Sequence, residues 1–194
     1  MKKVWYSLLI KGIVQGVGFR PYVFRLANLL SISGFVKNTS EGVYAEIEGE
    51  AALCDSFINE IKQHPPALAQ VKNIQVQKQE PIGEQSFAII ESSSGIREPF
   101  ISPDIGICDA CAAEITDKNN RRYNYAFTNC TDCGPRFTII RDIPYDRSNT
   151  TMAQFVQCPN CSHEYEDPYN RRFHAQPNAC PVCGPRQDRH WVAH

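Results

Sequence analysis

Nine cysteines are the compositional outlier of this sequence, and eight of them fall between residues 108 and 183 as four Cys-x-x-Cys pairs. Cys108-x2-Cys111 is followed after eighteen residues by Cys130-x2-Cys133, and Cys158-x2-Cys161 after eighteen residues by Cys180-x2-Cys183. Thiolates at this spacing are the ligand set of a tetrahedral zinc ion, two knuckles to each ion. Four cysteines leave zinc no open coordination position, so both sites are expected to be structural. An iron–sulfur cluster also accepts four cysteines, and disulfides are a third use. In a chain with no evident export signal, paired knuckles favour zinc over both. Pairing within each repeat is the simplest topology, and the spacing also admits an interleaved one.

A second stretch carries a different chemistry. Gln15-Gly16-Val17-Gly18-Phe19-Arg20 runs straight into Pro21 and an apolar-periodic segment. Gly16 and Gly18 permit backbone angles closed to other residues. A glycine loop entering a helix N-terminus presents free N–H groups and the positive end of the helix dipole, and both favour an anion. Arg20 stands at the mouth of that cradle, where a guanidinium can hold a phosphate or carboxylate through two parallel hydrogen bonds. There is no Gly-Lys-Ser/Thr, so this is not a nucleotide P-loop, and so short a loop suits one phosphate-sized group. A lone Gly-x-Gly reads more simply as a tight turn with a solvated arginine; the longer string around it changes that reading below.

These residues need a frame. Val4, Tyr6, Leu8 and Ile10 alternate with the period of a half-buried strand. Val23, Leu26, Ala27 and Leu30 recur at i, i+3, i+4 and i+7, so Pro21 opens a helix of about three turns, with Gly34 as its stop. Residues 35–40 and 43–49 read as a hairpin around Glu41-Gly42, with Val43, Ala45 and Ile47 on one face and Tyr44, Glu46 and Glu48 on the other. Leu53, Phe57, Ile58 and Ile61 mark a second helix that Pro65-Pro66 ends, and Cys54 on that face reads as a buried thiol. Residues 71–79 and 85–91 supply one or two last strands. The order is βαββαβ: an α+β, ferredoxin-like domain with two helices on one face of an antiparallel sheet.

Ser92-Ser93-Ser94-Gly95 forms a polar boundary. Beyond it the chain is duplicated. Each zinc-type cysteine has its counterpart fifty residues on, as do Asp117 and Asp167, Asn120 and Asn170, Arg121 and Arg171, and Arg122 and Arg172; Gly134-Pro135-Arg136 recurs as Gly184-Pro185-Arg186. Long apolar runs are few, so metal is expected to supply much of the folding energy, with Phe127, Phe137, Ile139, Ile140, Phe155 and Phe173 filling the gaps. His163 and His174 lie near knuckles already furnished with four thiols and are expected beside them or at the surface rather than as ligands. The Asn-Arg-Arg pairs at 120–122 and 170–172 have the chemistry to grip phosphate or nucleic acid. Residues 108–194 hold ten basic and ten acidic side chains, however, and a solvated face is the better reading.

The whole chain bounds the function further. It has 194 residues, 42% hydrophobic and 21% charged, with 20 basic and 21 acidic side chains. That composition excludes wholesale disorder, collagen and a coiled-coil rod, and the charge balance gives no field for nucleic acid or an anionic membrane. No apolar run approaches the roughly 20 residues that span a bilayer. Residues 4–10 follow Met1-Lys2-Lys3 but contain Ser7, stop at Lys11 and lack a cleavage site, so they read as a strand in a cytoplasmic protein.

The string Lys11-Gly12-Ile13-Val14-Gln15-Gly16-Val17-Gly18-Phe19-Arg20 resembles the signature of acylphosphatases, and Gly34-Phe35-Val36-Lys37-Asn38 with Gly42-Val43-Tyr44-Ala45-Glu46-Ile47-Glu48-Gly49 resembles their second element. The resemblance implies that Arg20 and the loop 15–20 (Gln15, Gly16, Val17, Gly18, Phe19) bind the phosphate of an acyl phosphate and that Asn38 orients the attacking water. Taken alone, Asn38 is an ordinary hairpin asparagine that satisfies local backbone groups. Together with the fingers, the stretches Ile101-Ser102-Pro103-Asp104, Cys130-Thr131-Asp132-Cys133-Gly134-Pro135-Arg136-Phe137-Thr138-Ile139, Pro144-Tyr145-Asp146-Arg147 and Arg171-Arg172-Phe173-His174-Ala175-Gln176-Pro177 resemble the N-terminal part of the HypF family of hydrogenase-maturation carbamoyltransferases.

That resemblance implies carbamoyl phosphate as substrate, two structural zinc ions as cofactors and HypE as the partner that receives the carbamoyl group. The organisation expected is an acylphosphatase-like domain over 1–91, a linker over 92–107, two four-cysteine zinc fingers within 108–186 (108–133 and 158–183) and a tail over 187–194. Family members continue for several hundred residues, so the expectation is a fragment or truncated form able at most to hydrolyse an acyl phosphate, without nucleic-acid or membrane partners. The alternative is a non-catalytic, zinc-stabilised scaffold.

Overall fold

A computed structural model describes residues 3–92 and 104–186. The boundary at 93–95 and most of the expected linker, with the stretch 101–103, lie outside the described residues, as does the expected tail. The first half runs β1 (Lys3–Ile13), α1 (Phe19–Leu29), β2 (Ser33–Thr39), β3 (Gly42–Glu50), α2 (Ala51–Gln63), β4 (Gln70–Gln79) and β5 (Phe87–Ile89). The sheet order is β4-β1-β3-β2-β5. β1 pairs antiparallel with β3 and β4, and β2 antiparallel with β3. The short β5 adds parallel to β2, so the sheet is mixed rather than purely antiparallel.

The alternation read from the sequence decides which faces are buried. Leu8, Ile10, Val36, Val43, Ala45 and Ile47 close against Val23, Ala27, Phe57 and Ile61 of the two helices, each essentially inaccessible. Cys54 joins this core, and burial, with smaller contributions from Asp55 and Glu48, pushes its thiol up to about 11. Two expectations shift. Helix α1 begins at Phe19, before Pro21, and ends at Leu29; Ser31 turns the chain out with φ 54°, while Gly34 lies inside β2. Glu48, on the polar face of β3, is nevertheless buried, because its carboxylate accepts from the backbone N–H groups of Ile82, Gly83 and Glu84.

The second half is held by short pieces. Helices α3 (Asp109–Thr116) and α4 (Pro159–Glu166) each start immediately after the first cysteine of a repeat. Its small apolar cluster is Tyr125, Met152 and Ala179, with Ile139 and Phe155 against it. Phe127 and Phe137 do not fill gaps as expected: they are 43% and 55% exposed. Phe173 is buried, but against the other half, its ring 5.4 Å from that of Phe24, which in turn meets Phe87 of β5. Among the described residues, no helix is long and apolar enough to cross a membrane.

Candidate acyl-phosphate site and metal centres

The cradle forms where β1 hands over to α1. Gly16 and Gly18 both take φ 72°, and Gly18 is the N-cap of α1. A side chain would be obstructed at Gly16 and tightly placed at Gly18. A Cβ on Gly16 would lie 2.6 Å from Cβ of Pro135, and one on Gly18 would lie 3.2 Å from Cβ of Thr131. The finger half therefore packs directly on the loop. Val17 and Phe19 bury their side chains in the core, so only their backbone can address an anion. Gln15 is committed elsewhere: its Nε2 donates to the carbonyls of Thr39 (2.7 Å) and Gly42 (3.0 Å), and its Oε1 accepts from the Tyr145 N–H (3.0 Å).

Arg20, on α1, and Asn38, on β2, are 8% and 1% exposed. Both meet the same short segment of the finger half. Arg20 Nη2 donates to the Tyr145 carbonyl (3.3 Å) and pairs with Asp146 Oδ1 at 2.6 Å. Asn38 Nδ2 donates to the same Tyr145 carbonyl at 3.2 Å, which fixes the orientation of its amide. Its Oδ1 is buried and has no partner among the described residues. Arg20, Asn38, Gly16 and Gly18 line one small cavity, whose far wall is Asn129, Thr131 and His174. A wider cleft of about 530 Å³ opens beside it and shares Arg20, His174 and Gln176.

His174 is a neighbour of this site that sequence reading missed. It stands in this wall rather than at a metal site, with φ 53°; burial first, then the Arg20 charge, lowers its imidazole to about 4, against a small opposing effect of Asp146. It is a neutral imidazole at pH 7. No local signal in the sequence put it there; its counterpart fifty residues earlier, Asn124, shares the left-handed backbone with φ 55°. His163 is exposed.

The eight cysteines gather within their own repeats: Cys108, Cys111, Cys130 and Cys133 in one group, Cys158, Cys161, Cys180 and Cys183 in the other, all ligand atoms of a group within 4.8 Å. Neighbouring sulfurs stand 3.6 Å (Cys108–Cys130), 3.9 Å (Cys130–Cys133), 3.8 Å (Cys158–Cys180) and 3.8 Å (Cys180–Cys183) apart. A tetrahedral ion with Zn–S bonds of about 2.3 Å sets its sulfurs about 3.8 Å apart, whereas a disulfide needs about 2.05 Å. The two groups fit two structural zinc ions, each group is drawn from a single repeat, and the sulfur spacing suits one ion rather than a multinuclear cluster.

The Asn-Arg-Arg pairs are not a solvated face. Arg122 and Arg172 are 1% and 3% exposed, and each repeat's arginines serve the other repeat. Arg171 Nη1 donates to Cys111 Sγ at 2.9 Å and Arg121 Nη2 to Cys161 Sγ at 3.5 Å. Arg171 and Arg172 pair with Glu114 of α3, and Arg121 and Arg122 with Glu164 of α4. Burial alone would raise the Glu164 carboxyl, but the hydrogen bonds from Arg122 and Arg121 outweigh it and hold it down at about 2. A zinc ion with four thiolates carries net negative charge, and donors to its sulfurs offset that charge as they orient the ligands.

A βαββαβ-type fold with an arginine at a glycine cradle and an asparagine across from it defines a class. Over residues 6–89 the chain matches the acylphosphatase model and belongs to that family; an acylphosphatase of Moorella thermoacetica is 42% identical over 93 residues, 47% of this chain and 99% of that protein. Residues 107–140 and 157–187 match the HypF finger, and the two halves together are similar to the HypF carbamoyltransferases. That of Rhizobium leguminosarum bv. viciae is 49% identical over 146 residues, 75% of this chain and 19% of the relative; HypF2 of Cupriavidus necator is 46% identical over 160 residues, 81% and 20%. A crystal structure of full-length HypF in a phosphate- and nucleotide-bound form superposes with a TM-score of 0.91 at 49% identity, over 95% of this chain and 25% of that one. The chain thus spans about a fifth of the curated HypF relatives it matches.

Proposed function

We propose that this chain hydrolyses an acyl phosphate, carbamoyl phosphate in particular, at the Arg20–Asn38 site. The observation that carries the proposal is the convergence of Arg20, Asn38 and the Gly16–Gly18 loop on one small cavity, with Asn38 Oδ1 buried and unpartnered among the described residues. Arg20 and the loop N–H groups hold the phosphoryl oxygens and offset the charge that shifts onto them and onto the leaving carboxylate. Both partners of Arg20 among the described residues sit on Nη2, and a guanidinium carries five N–H donors. Asn38, pinned through Nδ2, accepts a hydrogen bond from water at Oδ1 and aims that water at phosphorus.

The water oxygen bonds to phosphorus as the bond from phosphorus to the acyl oxygen breaks, giving inorganic phosphate and carbamate. Asn38 cannot take the water's proton at pH 7; the proton passes to an oxygen of the departing products. An acyl phosphate is an activated anhydride, so positioning and charge stabilisation suffice. The relatives' name as carbamoyltransferases is what singles out the carbamoyl group, and the resemblance extends the proposal to HypE as acceptor in nickel–iron hydrogenase maturation. The zinc fingers hold the segment 144–146 on the site.

The test is turnover of carbamoyl phosphate in 18O-labelled water, read by phosphorus NMR. The reading expects phosphate carrying one 18O and an Asn38→Ala variant with much reduced kcat and little change in KM. Unlabelled phosphate, or an unaffected Asn38→Ala, would contradict it.

A further inference from the structure

Asn129 lies on the finger half, next to Cys130, and is 3% exposed. Its Nδ2 and Oδ1 are both buried and both lack a partner among the described residues. A buried carboxamide with neither end paired is costly, because both groups have given up water without a replacement partner. It lines the same cavity as Arg20 and Asn38.

The internal duplication supplies a control. Asn129 corresponds to Ala179, fifty residues on. The backbone is held in the same way at both positions: Arg172 Nε donates to the Asn129 carbonyl at 3.0 Å, and Arg122 Nε to the Ala179 carbonyl at 3.0 Å. The finger architecture therefore requires no asparagine here. Asn129 lines the cavity at the glycine cradle, whereas its counterpart Ala179, which carries only a methyl group, does not.

A phosphate offers only acceptors at pH 7 apart from its own proton, so it would satisfy Nδ2 and leave Oδ1 facing anionic oxygens. A planar group with an amine and a carbonyl satisfies both ends. We propose that Asn129 selects the acyl group of the substrate: Nδ2 donates to the carbamoyl carbonyl oxygen and Oδ1 accepts from the carbamoyl NH2. This inference rests on the acyl-phosphate reading of the site and adds the residue that distinguishes carbamoyl from other acyl groups. Acetyl phosphate, with a methyl in place of NH2, would leave Oδ1 unpaired, and a site built around a hydrogen bond rejects an analogue that cannot make it.

The test compares kcat/KM for carbamoyl phosphate and acetyl phosphate in the chain, in Asn129→Ala and in the near-isosteric Asn129→Leu, with zinc content measured in each. Calorimetric binding of the same two compounds serves as a second readout. The expected result is that the carbamoyl-to-acetyl ratio falls about 10-fold or more in both variants, mainly through loss on carbamoyl phosphate, with two zinc ions retained. An unchanged ratio, or an equal fall on both substrates, would overturn the inference and leave the acyl-phosphate reading standing. If Asn129→Ala fails to fold, Asn129→Leu decides by the same criterion; zinc loss in both would make Asn129 a structural residue and overturn the inference. A chain that neither binds nor turns over carbamoyl phosphate would overturn this inference and the proposed function together.

Discussion

Arg20 Nη2 and Asp146 Oδ1 are 2.6 Å apart, an ion pair between the glycine-cradle helix of one half and the 144–146 segment of the other, with the arginine side chain only 9% exposed. The arginine expected to meet a phosphate is already held by a carboxylate. A second anion entering the cavity must share that guanidinium with Asp146. Asp146→Asn is therefore expected to tighten inorganic phosphate binding by about 5- to 10-fold, roughly 1 kcal/mol. Isothermal titration with phosphate checks this; unchanged or weaker binding would show that Asp146 does not oppose the anion.

The crossed arginines predict that each metal site depends on the opposite repeat. Arg171→Met removes a donor to Cys111 Sγ and should speed zinc loss to a chelator from the 108/111/130/133 site about 10-fold, leaving the other site near its original rate. Arg121→Met should do the converse, through Cys161. Alkylation of the released thiols, mapped by mass spectrometry, identifies which site opens. Loss from the mutated repeat's own site would contradict the crossed arrangement.

His174 carries the pH dependence. Its imidazole is lowered to about 4 from the ordinary 6.5, by burial and by Arg20, with Asp146 opposing and Tyr165 packed on its ring. A lowered folded value means that the unfolded chain binds the proton first. The contribution of a neutral His174 is intact above about pH 6.5, is lost progressively as pH falls toward about 4, and changes no further below that. Asn stands at the matching left-handed position 124, so His174→Asn preserves the backbone. The variant should lose less melting temperature than the parent between about pH 7 and about pH 5. Equal losses would contradict the assignment.

These relationships bear on what the sequence could reveal. The first half was legible because each signal was local: alternation in β1 and β3, the i, i+3, i+4 pattern of α1 and α2, and the glycine string with Arg20 and Asn38. The four-cysteine groups were legible because ligand spacing and the fifty-residue repeat are written along the chain. What was not legible lies between distant segments. No local pattern announces that Tyr145 and Asp146 cap Arg20 and Asn38, that Pro135 needs Gly16 to be small, or that Arg122 and Arg172 cross to the opposite helix. The strand expected within 85–91 is present as β5, but its parallel pairing with β2 is set between distant segments and carries no local signal. Phe127 and Phe137 misled because aromatic type alone does not fix burial when zinc, rather than an apolar core, sets the local fold.

In the proposed mechanism Arg20 holds the phosphoryl group of the acyl phosphate. The most direct measurement is phosphate release from carbamoyl phosphate by the purified chain beside Arg20→Ala, with zinc content and thermal melting measured in both. Release above the spontaneous rate is expected for the chain and background release for Arg20→Ala, with two zinc ions retained by each. An Arg20→Ala variant that keeps its zinc and releases phosphate as fast as the parent would contradict it.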